Sequence, residues 1–113
     1  MRPARADAFL WVAQRVTAAF LAFFVLVHLV TIVYAVRGGL SAAEILARTH
    51  SSLAWPMFYT LFVFAASIHG AIGLRTIAAE WLGWRGWSAN AAVAAIALGL
   101  VGLGLRAVLA VAA

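Results

Sequence analysis

A histidine stands inside a long apolar stretch of this sequence, in the segment SIHGAIGLRTIAAEW. Small residues stand one helical turn before and after His69, namely Ala65, Ala66 and Gly73. Such a surface lets a flat macrocycle approach the imidazole as an axial ligand. It equally lets a second helix pack closely, with the histidine hydrogen-bonded across the contact. Spacing alone leaves these two interpretations open.

An arginine ends the same stretch, six residues after the histidine. Arg75 lies about 9 Å from His69 along a helix axis, at about 1.5 Å per residue. From there its guanidinium can bind a carboxylate such as a haem propionate, although it can also extend to a membrane interface without a ligand. Because an ionisable side chain within an apolar span is costly and usually functional, the pair favours a haem site.

The composition is that of a membrane protein. The chain has 113 residues, of which 67% are hydrophobic and 10% charged, and its mean hydropathy is +1.08. The lipid bilayer is therefore its expected environment. The net charge of +5 is spread too thinly for a nucleic-acid interface. The absence of cysteine excludes disulfides, thiolate metal sites and an internal iron–sulfur cluster.

Three stretches are long enough to cross a bilayer, which takes about 20 apolar residues. They cover residues 16–36, 55–79 and 89–112. Short polar joints between them predict an all-α, up-down-up bundle of three transmembrane helices, forming a single domain over residues 1–113. The amphipathic segment 3–15 is expected to lie along the membrane interface before the chain turns into the first span.

The arginines are distributed unevenly between the two ends of the predicted bundle. Five precede the first span or flank the second joint: Arg2, Arg5, Arg15, Arg75 and Arg85. Only Arg37 and Arg48 lie in the first joint. The positive-inside rule therefore predicts a cytoplasmic N-terminus, in a multi-pass protein of the inner (cytoplasmic) membrane.

The motif HGAIGLR at residues 69–75, followed by the acidic Glu80, resembles the second-helix motif of the cytochrome b membrane anchors of succinate dehydrogenase and fumarate reductase. That motif reads His-x-x-x-Gly-(Ile/Leu)-Arg, with an acid five residues on. The resemblance covers about residues 8–87. It implies that His69 is an axial ligand of haem b, within a motif that includes Gly73, and that Arg75 is a propionate partner.

The segment WVAQRVTA is similar to the first-helix motif of the same family, Ser-x-x-His-Arg-x-(Ser/Thr)-Gly. Arg15 and Thr17 match it, whereas Trp11 and Gln14 replace the usual serine and histidine. The resemblance implies that Arg15 contacts a quinone or a propionate. Trp11 lies one turn from Arg15 and is expected beside the same quinone. Trp81 stands where the companion anchor often has a quinone-binding tyrosine, and its indole N–H could serve similarly.

A second histidine lies in the middle of the first span, where anchors with one haem usually lack one. His28 and its His-Leu-Val context are similar to the single-chain, five-helix anchors that hold two haems. Three interpretations stay open: a ligand to a second haem shared with a partner chain, a second axial ligand to the same haem, or a hydrogen-bonded histidine in a packed core. The resemblance therefore implies one haem b or two.

In that family the anchor has no reaction of its own. It holds a flavoprotein subunit and an iron–sulfur subunit on the membrane beside a second small haem-binding anchor, and electrons pass from succinate through FAD and the clusters to quinone. The sequence distinguishes neither succinate oxidation from fumarate reduction nor ubiquinone from menaquinone. A haem-free structural assembly subunit is the alternative function. A stand-alone enzyme is disfavoured because no nucleophile–base constellation, paired carboxylates or phosphate loop is present.

Overall fold

The computed structural model describes residues 4–112, and these residues form four helices joined by short turns and no strand. The helices are α1 (Ala4–Arg37), α2 (Ala42–His50), α3 (Ala54–Trp81) and α4 (Trp87–Ala112). Three of them, α1, α3 and α4, are long and apolar enough to cross a membrane. The predicted all-α fold with three transmembrane helices is therefore confirmed.

Glycine ends α1 at the predicted place. Gly39 has a φ of +64°, and the Leu40 N–H donates back to the Ala35 carbonyl at 3.0 Å. The left-handed conformation of Gly39 allows this hydrogen bond, which satisfies a carbonyl that would otherwise lack a partner at the helix end. Only glycine adopts this conformation without steric cost. The chain therefore turns sharply where the first span ends.

The segment 3–15 is not set apart from the first span. Pro3 lies outside the described residues, and from Ala4 onward α1 continues without a break to Arg37. The physical reason is that no glycine or proline interrupts these 34 residues. At about 1.5 Å per residue α1 is longer than the roughly 30 Å hydrocarbon core. Its first turns are therefore continuous with the spanning helix, and the interfacial position of segment 3–15 stays a prediction.

The first joint contains a helix that the sequence analysis treated as a polar connection. Helix α2 begins with a capping box, in which the Glu44 N–H donates to Ser41 Oγ at 3.2 Å and the Glu44 side chain accepts from the Ser41 backbone. Near its other end, Thr49 Oγ1 donates to the Val111 carbonyl of α4 at 2.7 Å. The short helix thus covers the end of the bundle where α4 finishes.

Helix α3 lies centrally and packs against both α1 and α4. On the α4 side the backbones approach closely, since a Cβ added at Gly104 would lie 2.5 Å from Val63 Cγ1. On the α1 side, the half of the contact near the start of α3 is filled by aromatic rings around Phe24, which is only 6% exposed and meets Phe58 edge-on at 5.2 Å. Candidate residues that contact a neighbouring helix therefore either lie on α3 or contact it.

Candidate functional site

The ring of His69 faces α1. Its Nδ1 lies 3.3 Å from Oγ1 of Thr17, a residue that is 8% exposed. The Thr17 hydroxyl also lies 2.7 Å from the Ala13 carbonyl, within its own helix. The contact uses Nδ1 and leaves Nε2 as the nitrogen that a metal could take.

The small residues of the HGAIGLR motif divide between packing and open surface. Gly73 faces Gln14 of α1, because an added Cβ would lie 3.6 Å from Gln14 Nε2, whereas a Cβ at Gly70 would meet nothing within 4 Å. Ala65 is buried. The clearance expected around His69 is thus used partly for helix packing, and Gly70 leaves open surface directly beside the histidine in the chain.

The α1–α3 contact contains one polar atom whose hydrogen bonding is not satisfied. Gln14 Oε1 is buried and has no hydrogen-bond partner within residues 4–112. Buried polar atoms are nearly always paired, so an unpaired one needs an explanation, for example a group that this chain does not supply. Gln14 stands one turn before Thr17 and beside Gly73, close to the predicted ligand.

Arg75 lies on a different face of α3 from His69. Six residues turn a helix through about 240° beyond one full turn, so the two side chains diverge. Arg75 Nε donates to Asn90 Oδ1 of α4 at 2.7 Å. The two residues line a polar cavity of about 410 Å³ together with Asp7 and Arg85. The structure thus places Arg75 beside α4, at the end of the bundle that also contains Asp7 and Arg85.

Sequence reasoning did not place Asn90 and Arg85 in this group. The sequence analysis assigned no role to Asn90 and used Arg85 only in the comparison of arginines at the two ends of the bundle. Arg85 lies in the short α3–α4 joint and Asn90 in the first turn of α4, and this closeness to the end of α3 was the available signal, since a tight turn brings such residues together.

Trp11 and Arg15 meet on the surface of α1. The Arg15 guanidinium carbon lies 4.4 Å from the Trp11 ring centroid, which is a cation–π arrangement. Trp11 is 59% exposed, so the pair faces away from the rest of the chain. Trp81, at the end of α3, is 81% exposed. Within the described residues no ring contact or hydrogen bond joins Trp81 to Trp11 or Arg15.

The ring of His28 packs against α3 near the other end of the bundle. Its Nδ1 lies 3.2 Å from Tyr59 Oη, and the two rings meet edge to face with centroids 5.7 Å apart. His28 and Tyr59 border two neighbouring cavities of about 540 and 440 Å³. His28 is therefore hydrogen-bonded to a neighbouring helix and also stands beside space that a ligand could enter.

The two histidines are separate donors. Within residues 4–112, no group of three or more His, Cys, Asp or Glu side chains is close enough to hold a metal ion.

Comparison with known families supplies the remaining evidence on identity. The family model described as succinate dehydrogenase/fumarate reductase transmembrane subunit matches residues 1–111. Searches of curated proteins and of solved structures returned no match. The resemblance drawn from the two helix motifs is thereby confirmed over nearly the full length of the sequence. The chain belongs to the succinate dehydrogenase/fumarate reductase transmembrane subunit family.

Proposed function

We propose that this chain is a haem b-binding membrane anchor of a succinate:quinone oxidoreductase. In that role it docks the flavoprotein and iron–sulfur subunits and helps to transfer electrons between the iron–sulfur clusters, haem and quinone. A second small haem-binding anchor completes the membrane part. The family membership supports the anchor role, and the geometry around His69 supports the haem.

The contact between Thr17 and His69 is the cross-helix hydrogen bond that the sequence left open as one interpretation, and it is also compatible with haem ligation. It holds the imidazole through Nδ1 and leaves Nε2 for an axial bond. The residues fit a haem, because Gly70 leaves open surface directly beside His69 in the chain. A haem bound there would supply one-electron transfer between cluster and quinone.

The other candidate residues have roles that follow from their positions. Arg75, beside a cavity that also contains Arg85, offers a guanidinium to carboxylates at the cytoplasmic end of α3. Arg15 and Trp11 present a cation and an aromatic face at the surface of α1, where a quinone head group can accept a hydrogen bond from the guanidinium. Trp81 offers an exposed indole N–H at the end of α3.

The arginines at one end of the bundle support an orientation of the chain in the membrane. The start of α1, the end of α3 and the start of α4 meet around the cavity that Asp7, Arg75 and Arg85 line. By the positive-inside rule this end faces the cytoplasm of a cell whose inner membrane holds the complex. The soluble subunits dock there.

The test is the His69→Leu variant in the purified complex, measured by a reduced-minus-oxidised visible spectrum. We expect the band of one haem b to disappear while the membrane and soluble subunits still assemble, because leucine keeps the bulk but cannot ligate iron. His50→Leu is the matched control, since His50 is exposed at the end of α2. Its spectrum should equal that of the parent complex.

A haem band that survives His69→Leu unchanged in an assembled complex contradicts the ligand assignment. A parent complex with no b-type band at all supports the alternative function, a haem-free assembly subunit.

A further inference from the structure

The Thr17 hydroxyl has three polar neighbours, and only one of them can give it a proton. The carbonyl oxygens of Ala13 and Gln14 lie 2.7 and 3.1 Å from Oγ1, and Nδ1 of His69 lies at 3.3 Å. Thr17 is 8% exposed, so water has little access to compete. The hydrogen bonds of the Thr17 hydroxyl are therefore made with these three groups.

Counting protons decides the direction of the bond. A threonine hydroxyl has one proton to donate and two lone pairs that accept. Carbonyl oxygens only accept, so the proton of Thr17 goes to the nearest of them, at Ala13. A hydrogen bond with His69 then requires that Nδ1 carries the proton and donates it to Oγ1.

We propose that Thr17 is a positioning residue that holds His69 in the tautomer with the proton on Nδ1, so that the Nε2 lone pair is the one offered to the haem iron. The inference rests on the proposed haem ligation by His69. From the sequence, Thr17 is only the hydroxyl residue of the first-helix motif. The inference gives it a role in setting the reduction potential of the haem.

This hydrogen bond has an electronic consequence as well as a geometric one. An imidazole that donates from Nδ1 is a more basic ligand at Nε2, because negative charge is drawn toward the ring. A more basic axial ligand stabilises the ferric state, which lowers the reduction potential of the haem. The same bond restricts rotation of the ring about its χ angles and so reduces the entropy lost when the iron binds.

The decisive variant is Thr17→Val, which keeps the branched shape and removes the acceptor. In the purified complex we expect the midpoint potential of the haem to rise, and its affinity to fall about tenfold, in line with the loss of an outer partner of a ligating histidine. Thr17→Ser, which keeps the hydroxyl, should restore both. If Thr17→Val does not assemble, Thr17→Ala is measured in the same way.

Thr76→Val is the matched control. Thr76 lies on α3 and its hydroxyl donates to the Ile72 carbonyl at 3.1 Å, but its side chain is exposed. The same chemical change there should leave the haem potential at its parent value.

The measurements are a redox titration of the b-type band, the haem-to-flavin ratio, and the low-spin electron paramagnetic resonance spectrum. A raised potential in Thr17→Val, restored in Thr17→Ser, supports the inference. A parent potential and spectrum in Thr17→Val, while His69→Leu still removes the haem, overturns the inference and leaves the proposed function intact. A haem retained in His69→Leu overturns both.

Discussion

Some candidate side chains lie on the surface of α1 and others at the contact between α1 and α3. In both places, another residue of this chain orients the candidate side chain. Thr17 contacts the ring of His69, and Trp11 stacks on the guanidinium of Arg15. The groups on which they would act lie outside the chain, since Trp11 and Arg15 are exposed. Under the proposed function, such pairs would preorganise one half of a site that a cofactor or a partner completes.

Replacing Arg15 tests the quinone assignment. For Arg15→Ala we expect quinone reduction by the complex to fall about tenfold or more, because a hydrogen bond from a charged group contributes about 1.5–3 kcal/mol. The measurement compares the rate and KM for quinone with the reduction of a soluble dye by the flavoprotein subunit, which should not change. Arg37→Ala, at the opposite end of α1, is the control. An unaltered rate and KM for quinone in Arg15→Ala would show that the guanidinium does not serve the quinone.

Helix α3 meets α4 so closely that one glycine has no room for a methyl group. Gly104 faces Val63, whereas a Cβ added at Gly99 or Gly102 on the same helix would meet nothing within 4 Å. Small residues let apolar helices approach in a membrane, where van der Waals contact provides much of the association energy. The closeness of α3 and α4 therefore depends on one position of α4 more than on its general glycine content.

Gly104→Ala should destabilise the protein by about 1–3 kcal/mol, the usual cost of overpacking. Gly102→Ala places the same methyl group in open space, so its stability should match the parent. The measurement is a thermal or detergent-induced unfolding midpoint of the complex. Adding Val63→Ala to Gly104→Ala should recover part of the loss, because the clash is with the valine methyls. Equal midpoints for the two alanine variants would contradict the close contact.

Two hydrogen bonds fix the register of α1 against α3. Thr17 pairs with His69 and His28 pairs with Tyr59, so the pairs are eleven residues apart on α1 and ten on α3. At about 1.5 Å per residue, the two histidines differ in depth by about 15 Å. This offset argues against His28 and His69 as the two axial ligands of one haem, and it favours separate sites or a packed-core role for His28.

The count of haem groups per flavin separates those two roles. We predict two haems per flavin in the complex and one in the His28→Leu variant, because His28 borders two cavities while its Nδ1 contacts Tyr59. A partner chain would supply the opposite ligand, and the buried ring of Phe24 would have to move. Haem extraction and flavin fluorescence provide the ratio. One haem per flavin in the parent complex would assign His28 to the packed core.

The whole molecule is an elongated bundle that leaves most of its large apolar side chains exposed. It extends over 53 × 24 × 22 Å. Exposed apolar residues occur on all three spanning helices, for example Phe20, Phe23, Leu61, Phe64, Leu98 and Leu103. Lipid covers such surfaces on a membrane protein, and a second anchor can cover the part around a shared cofactor. Three helices with one imidazole at His69 enclose only one side of a haem.

Copurification tests whether a second membrane chain is needed to complete the haem site. An affinity-tagged version of this chain, expressed with its complex, should bring down a second small membrane chain and two soluble subunits, one with flavin and one with iron–sulfur clusters. Expressed alone, it should retain no stoichiometric haem, since the opposite axial ligand is missing. The measurement is subunit composition by mass spectrometry together with the visible spectrum. A lone chain that binds haem stably would contradict the expected shared site.

The sequence alone determined those properties that depend on local composition and spacing. Hydropathy over about 20 residues sets the number of membrane helices, and the glycines after Arg37 end the first of them because a left-handed residue is needed there. The motif that contains His69, Gly73 and Arg75 resembles that of the family, and the match over residues 1–111 confirms the membership. The capping box at Ser41 was also a local signal, and it could have predicted α2.

Only the tertiary structure decided which helix each face of α3 meets. Periodicity indicates that His69 and Gly73 share a face, but not that Thr17 and Gln14 of α1 lie opposite them. Periodicity likewise does not predict that Arg75 donates a hydrogen bond to Asn90 of α4. In a membrane nearly all sides of such helices are apolar, so hydrophobicity cannot select the packing face. Close backbone approach and the pairing of the few polar groups select it, and both exist only once the helices are assembled.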